Sequence, residues 1–460
     1  MKIFIAGGGQ IAAFLAKRLI REGNELVILE QDEGRCRYLE AHLDAKVIHG
    51  SAACIATWHQ AEITKAEMFI ALTQADELNL LACLIAHTEA PSAVKAIRLR
   101  TPEFKAWRQM LEDRGVKIDR VIHPETDIVA RILRVLPVPG VSDIRDFAGG
   151  AVKLIGMNVE PHNWIAGKTV LDLDRAGPPK NSMVAMIFRG QEVLIPHGAQ
   201  VLQPGDHIYM VTTRDQLDAF LHFMGIEKQP SLKRVFIIGG GEVGIAVAEA
   251  LEAQGVSVKL FERDVRQCEY IASALQKSVV IHGDGTDQET LWRENIEGVD
   301  AFLALTGDDD ANVIVSLLAR RLGAKKLVAQ VNRLDYLPIA QRLGINTTVS
   351  PRLKAVDAIL EFVRKGGVLS VRTFREEEAE AIELVAPANC KYVGRPLRDV
   401  HFPQDAIVGA IARPDGDIIV PRGDAVIGAG DRVVFFALER CVPQLESAFL
   451  TDSKKRRWVR

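Results

Sequence analysis

Six cysteines in 460 residues, with no Cys-x-x-Cys pair and no paired spacing, leave no disulfide framework and no thiolate zinc site to be read. Cys36, Cys54, Cys83, Cys268, Cys390 and Cys441 are scattered, as suits reduced thiols in a cytosol. No run approaches the ~20 apolar residues that a membrane-spanning helix needs. The N-terminus opens directly on a short apolar strand pattern, with one lysine and no cleavage-site pattern, which argues against a signal peptide. A cytoplasmic protein is expected, one that meets a membrane from the surface and through a partner. Neither sign of charge dominates: 57 Lys and Arg against 60 Asp and Glu give a net −3, so no general nucleic-acid binding is expected. The charged fraction of 25% and hydrophobic fraction of 48% carry no disorder signature. The length allows about two to four domains with substantial cores.

What is present is one pattern written twice. Residues 2–6 form an apolar strand that runs into Gly7, Gly8 and Gly9, and residues 14–20 read as a helix. The same order recurs at 234–244, with Gly239 and Gly241 each 232 positions after Gly7 and Gly9. A second strand, residues 26–30, ends on Glu30, and its copy at 258–262 ends on Glu262 at the same offset. Glycines at that turn allow a tight bend and close approach to a phosphate, and an acid about twenty residues on can accept ribose hydroxyls. A glycine fingerprint alone is weak evidence. Strand, turn, helix, strand and terminal acid in register, twice, make nucleotide binding the strongest reading.

Strand and helix then alternate: a helix over 34–43, strands at 46–48 and 68–73, a helix from 74 to about 87, a strand at 94–99, a helix over 104–114, a strand at 121–123 and a helix over 124–136. That alternation predicts a doubly wound parallel sheet, with ligands at the carboxyl ends of the strands. Thr73 and Arg98 stand at such ends. Arg98 is a candidate for the pyrophosphate, against the alternative of a merely solvated side chain. The Leu-Pro-Val-Pro-Gly run at 136–140 reads as a linker. Beyond it, strands at 151–157, 183–188 and 207–212, turns between them and a helix over 215–223 form a small α+β module.

After Gln229 and Pro230 the order restarts. His282-Gly-Asp-Gly-Thr286 answers His49-Gly-Ser-Ala-Ala53, Thr306 answers Thr73, Asn312 answers Asn79 and Pro351 answers Pro124. A second linker is expected at 364–367. The small module recurs too, with Gly-Asp at 205–206 and again at 430–431. The expected domains are 1–137, 141–225, 232–363 and 368–452: two Rossmann-like doubly wound parallel-sheet domains, each followed by a small α+β regulatory domain. The basic tail at 454–458 reads as solvated, with a lipid-headgroup contact as the alternative.

Other polar clusters have plain readings. Asp308, Asp309 and Asp310 could suit a divalent ion, but three acids at a helix start complement its dipole, and capping is preferred. His49 and His282 match in position and lack a base or nucleophile partner, so a structural role is expected of both. An acid at the ribose favours NAD(H), ATP or ADP over a 2′-phosphate, although Arg263 beside Glu262 weakens that preference in the second copy. A dehydrogenase would need a positioned acid–base group in a substrate domain. The histidines on offer, His162, His197, His207 and His222 in one small module and His401 in the other, recur at no matching position. No catalytic residue and no metal ligand is expected.

The tandem order of glycine turn, acid-ended strand, His-Gly-Asp-Gly-Thr, Ala-Leu-Thr-Gly-Asp-Asp-Asp-Ala-Asn and Gly-Asp module resembles the RCK domains of potassium-transport regulators over about residues 1–450. In its four-part order it resembles the peripheral regulatory subunits of Trk-type potassium uptake. The resemblance implies NAD(H) binding by the large modules, a response to ATP or ADP, and assembly of a homo-oligomer as a dimer or tetramer ring. It also implies a place on the inner face of the cell membrane, gating a membrane-embedded Trk-type potassium transporter; a potassium efflux antiporter is the alternative partner. Carried onto this chain, the first site would use Gly7, Gly8, Gly9, Gln10, Ile11, Glu30, Thr73, Gln74 and Arg98. The second would use Gly239, Gly240, Gly241, Glu242, Val243, Glu262, Asp284, Thr306 and Gly307. The copies depart from one another: Ala12 stands against Gly244, Ser51 against Asp284 and Arg98 against Gln330, so unequal affinity or ligand preference is expected.

Overall fold

The computed structural model describes residues 1–100, 104–190, 192–226, 232–333, 336–345, 347–363, 368–374 and 379–449. The second linker at 364–367, Gln229 with Pro230, and the basic tail lie outside the described residues. Among those described, no helix is long and apolar enough to cross a membrane.

Two six-stranded parallel sheets repeat one topology. In the first, the order is Lys46–His49, Glu25–Glu30, Lys2–Ala6, Met68–Ala71, Val94–Arg98 and Arg120–Ile122. The second runs Val279–His282, Ser257–Glu262, Arg234–Ile238, Ala301–Ala304, Lys326–Gln330 and Thr347–Val349. The central strands are buried on both faces, as continuous runs such as Phe4-Ile5-Ala6 and Phe236-Ile237-Ile238 require. Each small module is a five-stranded antiparallel sheet. The first includes an edge strand, Val141–Phe147, directly after the linker, which the sequence reading left unassigned.

Chain order and packing order part company at two helices. Pro351–Val363 follows the second parallel sheet in sequence, yet Ala355, Val356, Ile359, Leu360, Phe362 and Val363 pack into the core of the first, with Ile3, Ile5, Leu15 and Leu19. The helix Pro124–Val135 does the reverse. Its Ile128 and Ile132 join Val235, Ile237, Val247 and Leu251 of the second sheet's core. The chain accordingly divides into residues 1–127 with 351–363, and 128–350 with 364–460. A boundary drawn at 363 from sequence therefore counts in the second domain a helix whose apolar face belongs to the first core. The periodicity of an apolar stripe says that a helix must be covered, not by what.

Within the second unit the two small sheets share an apolar layer. Phe147, Met186, Phe188 and Tyr209 of one meet Phe374, Ala410, Val434 and Phe436 of the other. The Phe147 and Phe436 rings lie edge-on at 6.2 Å. Arg422 clasps Asp174 at 2.6 Å, and Asn181 binds the Val420 amide at 3.2 Å.

Candidate nucleotide-binding sites

Each glycine turn stands at the carboxyl end of its sheet's third strand in spatial order, where successive crossovers diverge to the two sides. Gly7 and Gly239 have φ of +95° and +106°, in the left-handed region that side chains avoid. A Cβ on either would stand 3.0 Å from the backbone nitrogen of Thr73 or Thr306. The next position is crowded as well: a Cβ would lie 2.6 Å from the Leu39 Cδ1 at Gly8 and 2.3 Å from the Ile271 Cδ1 at Gly240, so those side chains would have to shift. The helices Gln10–Arg21 and Glu242–Ala253 start immediately after, capped by Gly9 and Gly241 with no side-chain bond. Their first amides are thus left for an anion. Gln10 and Glu242 are exposed, whereas Ile11 and Val243 are buried and offer backbone rather than side chain.

The glutamates sit where the strand pattern places them, but their carboxylates are already engaged. Glu30 Oε2 accepts the Gly8 amide at 2.6 Å, and its Oε1 accepts the amides of Gln31 at 2.8 Å and Asp32 at 2.9 Å. Glu262 repeats the pattern with Gly240 at 2.8 Å, Arg263 at 2.7 Å and Asp264 at 2.9 Å. A carboxylate has about four acceptor positions. Three are spent bracing the turn, which leaves room for one further donor rather than the two ribose hydroxyls first assigned. The structure thus shows both glutamates bracing the turn, a role the sequence reading did not assign.

Thr73 and Thr306 are held by a residue the sequence reading noted only as a repeat. Asn79, fully buried, takes the Thr73 amide at 2.8 Å and hydroxyl at 2.7 Å, and donates to the Arg98 carbonyl at 2.9 Å. Asn312 does the same for Thr306 at 3.1 and 2.7 Å and for the Gln330 carbonyl at 2.9 Å. Each Asn ties two strand ends together across the mouth of the site. Gln74 is exposed beside Thr73, and Gly307 lines the second cavity.

Arg98 is not turned loose on the solvent. Its Nη2 donates to Glu125 at 2.9 Å, and both side chains are nearly covered. In the second copy the Gln330 amide instead donates to the Thr306 carbonyl at 3.2 Å. Asp284 holds the Thr286 amide at 2.8 Å and hydroxyl at 2.6 Å, and pairs with Arg263 at 2.8 Å. Burial pushes the Asp284 carboxyl up, but Thr286 and Arg263 together outweigh it and hold the group below the usual range. A cavity of about 290 Å³ opens here, walled by Gly239, Gly240 and Gly241 and by Glu262, Thr306 and Asp308.

Asp308 and Asp309 act on backbone. Asp308 caps its helix through the Ala311 amide at 3.1 Å, and Asp309 accepts the amides of Asn332 at 2.8 Å and Arg333 at 2.6 Å. His49 bonds the Gln31 carbonyl at 3.0 Å and His282 the Arg263 carbonyl at 3.1 Å, matching structural contacts.

The family models of the TrkA-N domain match residues 3–124 and 235–351, and those of the TrkA-C domain match 154–225 and 381–450. The Trk system potassium uptake protein TrkA of Halomonas elongata is 32% identical over 443 residues, 96% of each chain. That of Vibrio alginolyticus is 32% identical over 453 residues, 98% of each. Among solved structures, the GsuK RCK domain superposes with a TM-score of 0.61 at 20% identity, covering 97% of this chain and 94% of that one. The GsuK channel bound to NAD gives 0.60 at 19%, covering 97% and 78%. Identities that low speak for the fold alone. The near full-length relatives and the paired N and C modules in one order decide the family: this chain belongs to the TrkA family, with two tandem RCK-type repeats.

Proposed function

We propose that the chain is a non-enzymatic, nucleotide-sensing regulatory subunit of a potassium-transport system, built from the modules 1–137, 141–225, 232–363 and 368–452. In this reading both glycine turns hold NAD(H) or an adenine nucleotide. Residues Gly7 to Ile11, Glu30, Thr73, Gln74 and Arg98 serve the first site. Gly239 to Val243, Glu262, Asp284, Thr306 and Gly307 serve the second. The observation that carries the reading is the duplicated constellation of left-handed glycine, braced glutamate and Asn-held threonine, each copy beside uncapped helix amides. The relatives' names support a potassium-uptake setting, and the NAD- and ADP-bound GsuK channels, alike in fold, support the ligand class.

The cavity at the second turn is walled by glycines, apolar side chains, Thr286, Thr306, Glu262, Arg263 and Asp308, a lining suited to holding a nucleotide rather than to shuttling a proton. Regulation then requires that the ligand prefer one assembly shape over another; affinity alone shifts nothing. NAD⁺ and NADH differ by a charge on the nicotinamide ring, which gives such a site a redox ratio to read. The membrane partner is a Trk-type transporter, reached from the cytoplasmic face.

Calorimetry on the full chain with NADH, NAD⁺, ATP and ADP tests the binding claim. Saturable binding of at least one is expected, and Glu262→Ala should weaken it about tenfold or more in the second copy through loss of charged hydrogen bonds. Absence of binding by all four at millimolar concentration would remove the proposal. Steady turnover of nicotinamide with a metabolite extract would replace it by a dehydrogenase.

A further inference from the structure

The two copies agree in turn and acid and differ in the charges set around them. Gln10, Gln31, Arg35, Ser51 and Ala75 of the first correspond to Glu242, Arg263, Gln267, Asp284 and Asp308 of the second. Their formal charges come to +1 in the first copy and −2 in the second, the shared glutamate adding −1 to each.

Arg35 is the residue that matters most in this set. It lies in the first turn of the helix Glu33–His42, which its neighbour Asp32 caps through the Arg35 amide at 2.7 Å. That geometry sends the exposed side chain back over the glycine turn, where Nη1 stands 3.4 Å from the point a Gly9 Cβ would occupy. Among the described residues it forms no ion pair. In the second copy Gln267 takes this place, and its amide donates to the Gly240 carbonyl at 2.7 Å, closing the gap without charge. Among the described residues, the one cation lining the cavity there, Arg263, pairs with Asp284, Asp308 lines it at the start of one helix, and Glu242 opens the helix that follows Gly241.

We infer that Arg35 is a phosphate-reading, specificity-determining residue. It makes the first copy favour nucleotides in proportion to their phosphate charge, while the second copy, lacking it, disfavours added phosphate. A guanidinium within reach of a pyrophosphate forms charge-assisted, often bidentate bonds. Carboxylates set near the same turn act in the opposite sense. The sensor then carries two readers of one ligand pool, one tuned to di- and triphosphates or dinucleotides and one to the nucleoside end of the molecule. This inference rests on the nucleotide-binding reading above.

Hydrogen–deuterium exchange of the full chain reads each copy separately, through peptides spanning 7–15 and 239–247. Adenosine, AMP, ADP, ATP and NAD⁺ are titrated with EDTA present, so that no divalent ion masks phosphate charge. In the first copy, half-protection should shift to lower concentration from adenosine to ADP by about tenfold or more, and the shift should shrink as salt rises. In the second the order should be flat or reversed. Arg35→Gln should flatten the first series without changing the response to adenosine, Arg35→Lys should keep part of it, and Gln267→Arg should create it in the second copy. If nucleotides protect both copies and Arg35→Gln leaves the ADP-to-adenosine ratio unchanged, the inference fails and the binding proposal stands. If no nucleotide protects either copy, the binding proposal itself has failed.

Discussion

At the residue scale, two positions one helical turn past the glycines show how the same backbone accommodates different side chains. A Cβ on Gly244 would meet the Gly239 carbonyl oxygen at 2.1 Å, whereas Ala12 occupies the matching place in the first copy, fully buried. Gly244→Ala must therefore push the second turn away from its own helix. A loss of about 1–3 kcal/mol is expected, as for other small-to-large changes in packed sites, together with weaker nucleotide protection at 239–247. Ala12→Gly should cost only about 1 kcal/mol through helix propensity. Urea unfolding of both variants checks the pair, and equal costs would show that the contact relaxes freely.

Glu252 offers a pH signature at the same scale. Its carboxylate accepts the amides of Gln276 at 3.1 Å, Lys277 at 3.0 Å and Ser278 at 2.9 Å, and the Ser278 hydroxyl at 2.8 Å. Burial raises its pKa, but these four donors outweigh burial and bring it down to about 2. A depressed acid stabilises the fold fully above its unfolded pKa, and the contribution is lost as pH falls through the folded value. Glu252→Gln should lower stability by about 1–3 kcal/mol at pH 7, and the gap to wild type should narrow between roughly pH 4.5 and 2. A gap independent of pH would deny the carboxylate its role. Much of this chemistry was hidden in the sequence. The glycines and Glu30 and Glu262 are legible because their spacing is fixed by one strand, one turn and one helix. Arg35 and Gln267 were not, because nothing in the spacing tells that the next helix aims its first turn back across the glycines.

At the scale of elements, the exchanged helices are the main departure from what periodicity can predict. The first was read from sequence as a helix over 124–136, and Pro351 was matched to Pro124; helices do begin at both prolines. Their destinations were not readable, since the first and second cores are lined by the same residue types and an apolar stripe fits either. The consequence is testable by paired truncations. Leu360→Ala removes a side chain buried among Ile3, Leu15 and Leu19, and should destabilise the first parallel sheet by about 2–5 kcal/mol. Ile132→Ala should do the same to the second sheet, where Ile132 packs with Val235 and Val247. Hydrogen exchange of the central strands is the readout: Leu360→Ala should lower protection in Lys2–Ala6, and Ile132→Ala in Arg234–Ile238. The opposite assignment would mean that each helix returns to its own half in solution. A half-chain cut at the linker would lack a wall of its core, so nucleotide binding is better measured on the whole protein.

At the scale of the molecule, the second unit joins three modules through one buried carboxylate. Asp143 receives Arg131, from the exchanged helix, at 2.8 Å and Arg145 at 2.6 Å, with the Tyr209 hydroxyl at 3.3 Å. Burial opposes its charge, but the two guanidinium groups hold its pKa well below the usual range. Arg145 in turn lies over the Phe374 ring of the second small sheet at 4.2 Å. A charge in such a place is costly unless every partner stays in register, so the cluster favours one arrangement of these modules over loose alternatives. Regulation by ligand needs that kind of rigid element, and it also needs a second body for the element to move against. The surface repeats in a way that suits one. Tyr38 and Tyr270 answer each other and are 57% and 61% exposed, and Leu81 and Ile314 answer each other at 43% and 67%. Large apolar side chains kept in the open at matching positions of both copies are expected to be covered by further copies of the chain. Light scattering at micromolar concentration should therefore give a whole-number multiple, two or more, of the 50.6 kDa chain mass. Replacing Leu81 and Ile314 together by Asp should shift the mass downward while leaving exchange protection of the sheets intact. A monomer in the unmodified protein would leave nucleotide binding with no assembly to reshape, and gating by population shift would have to be abandoned.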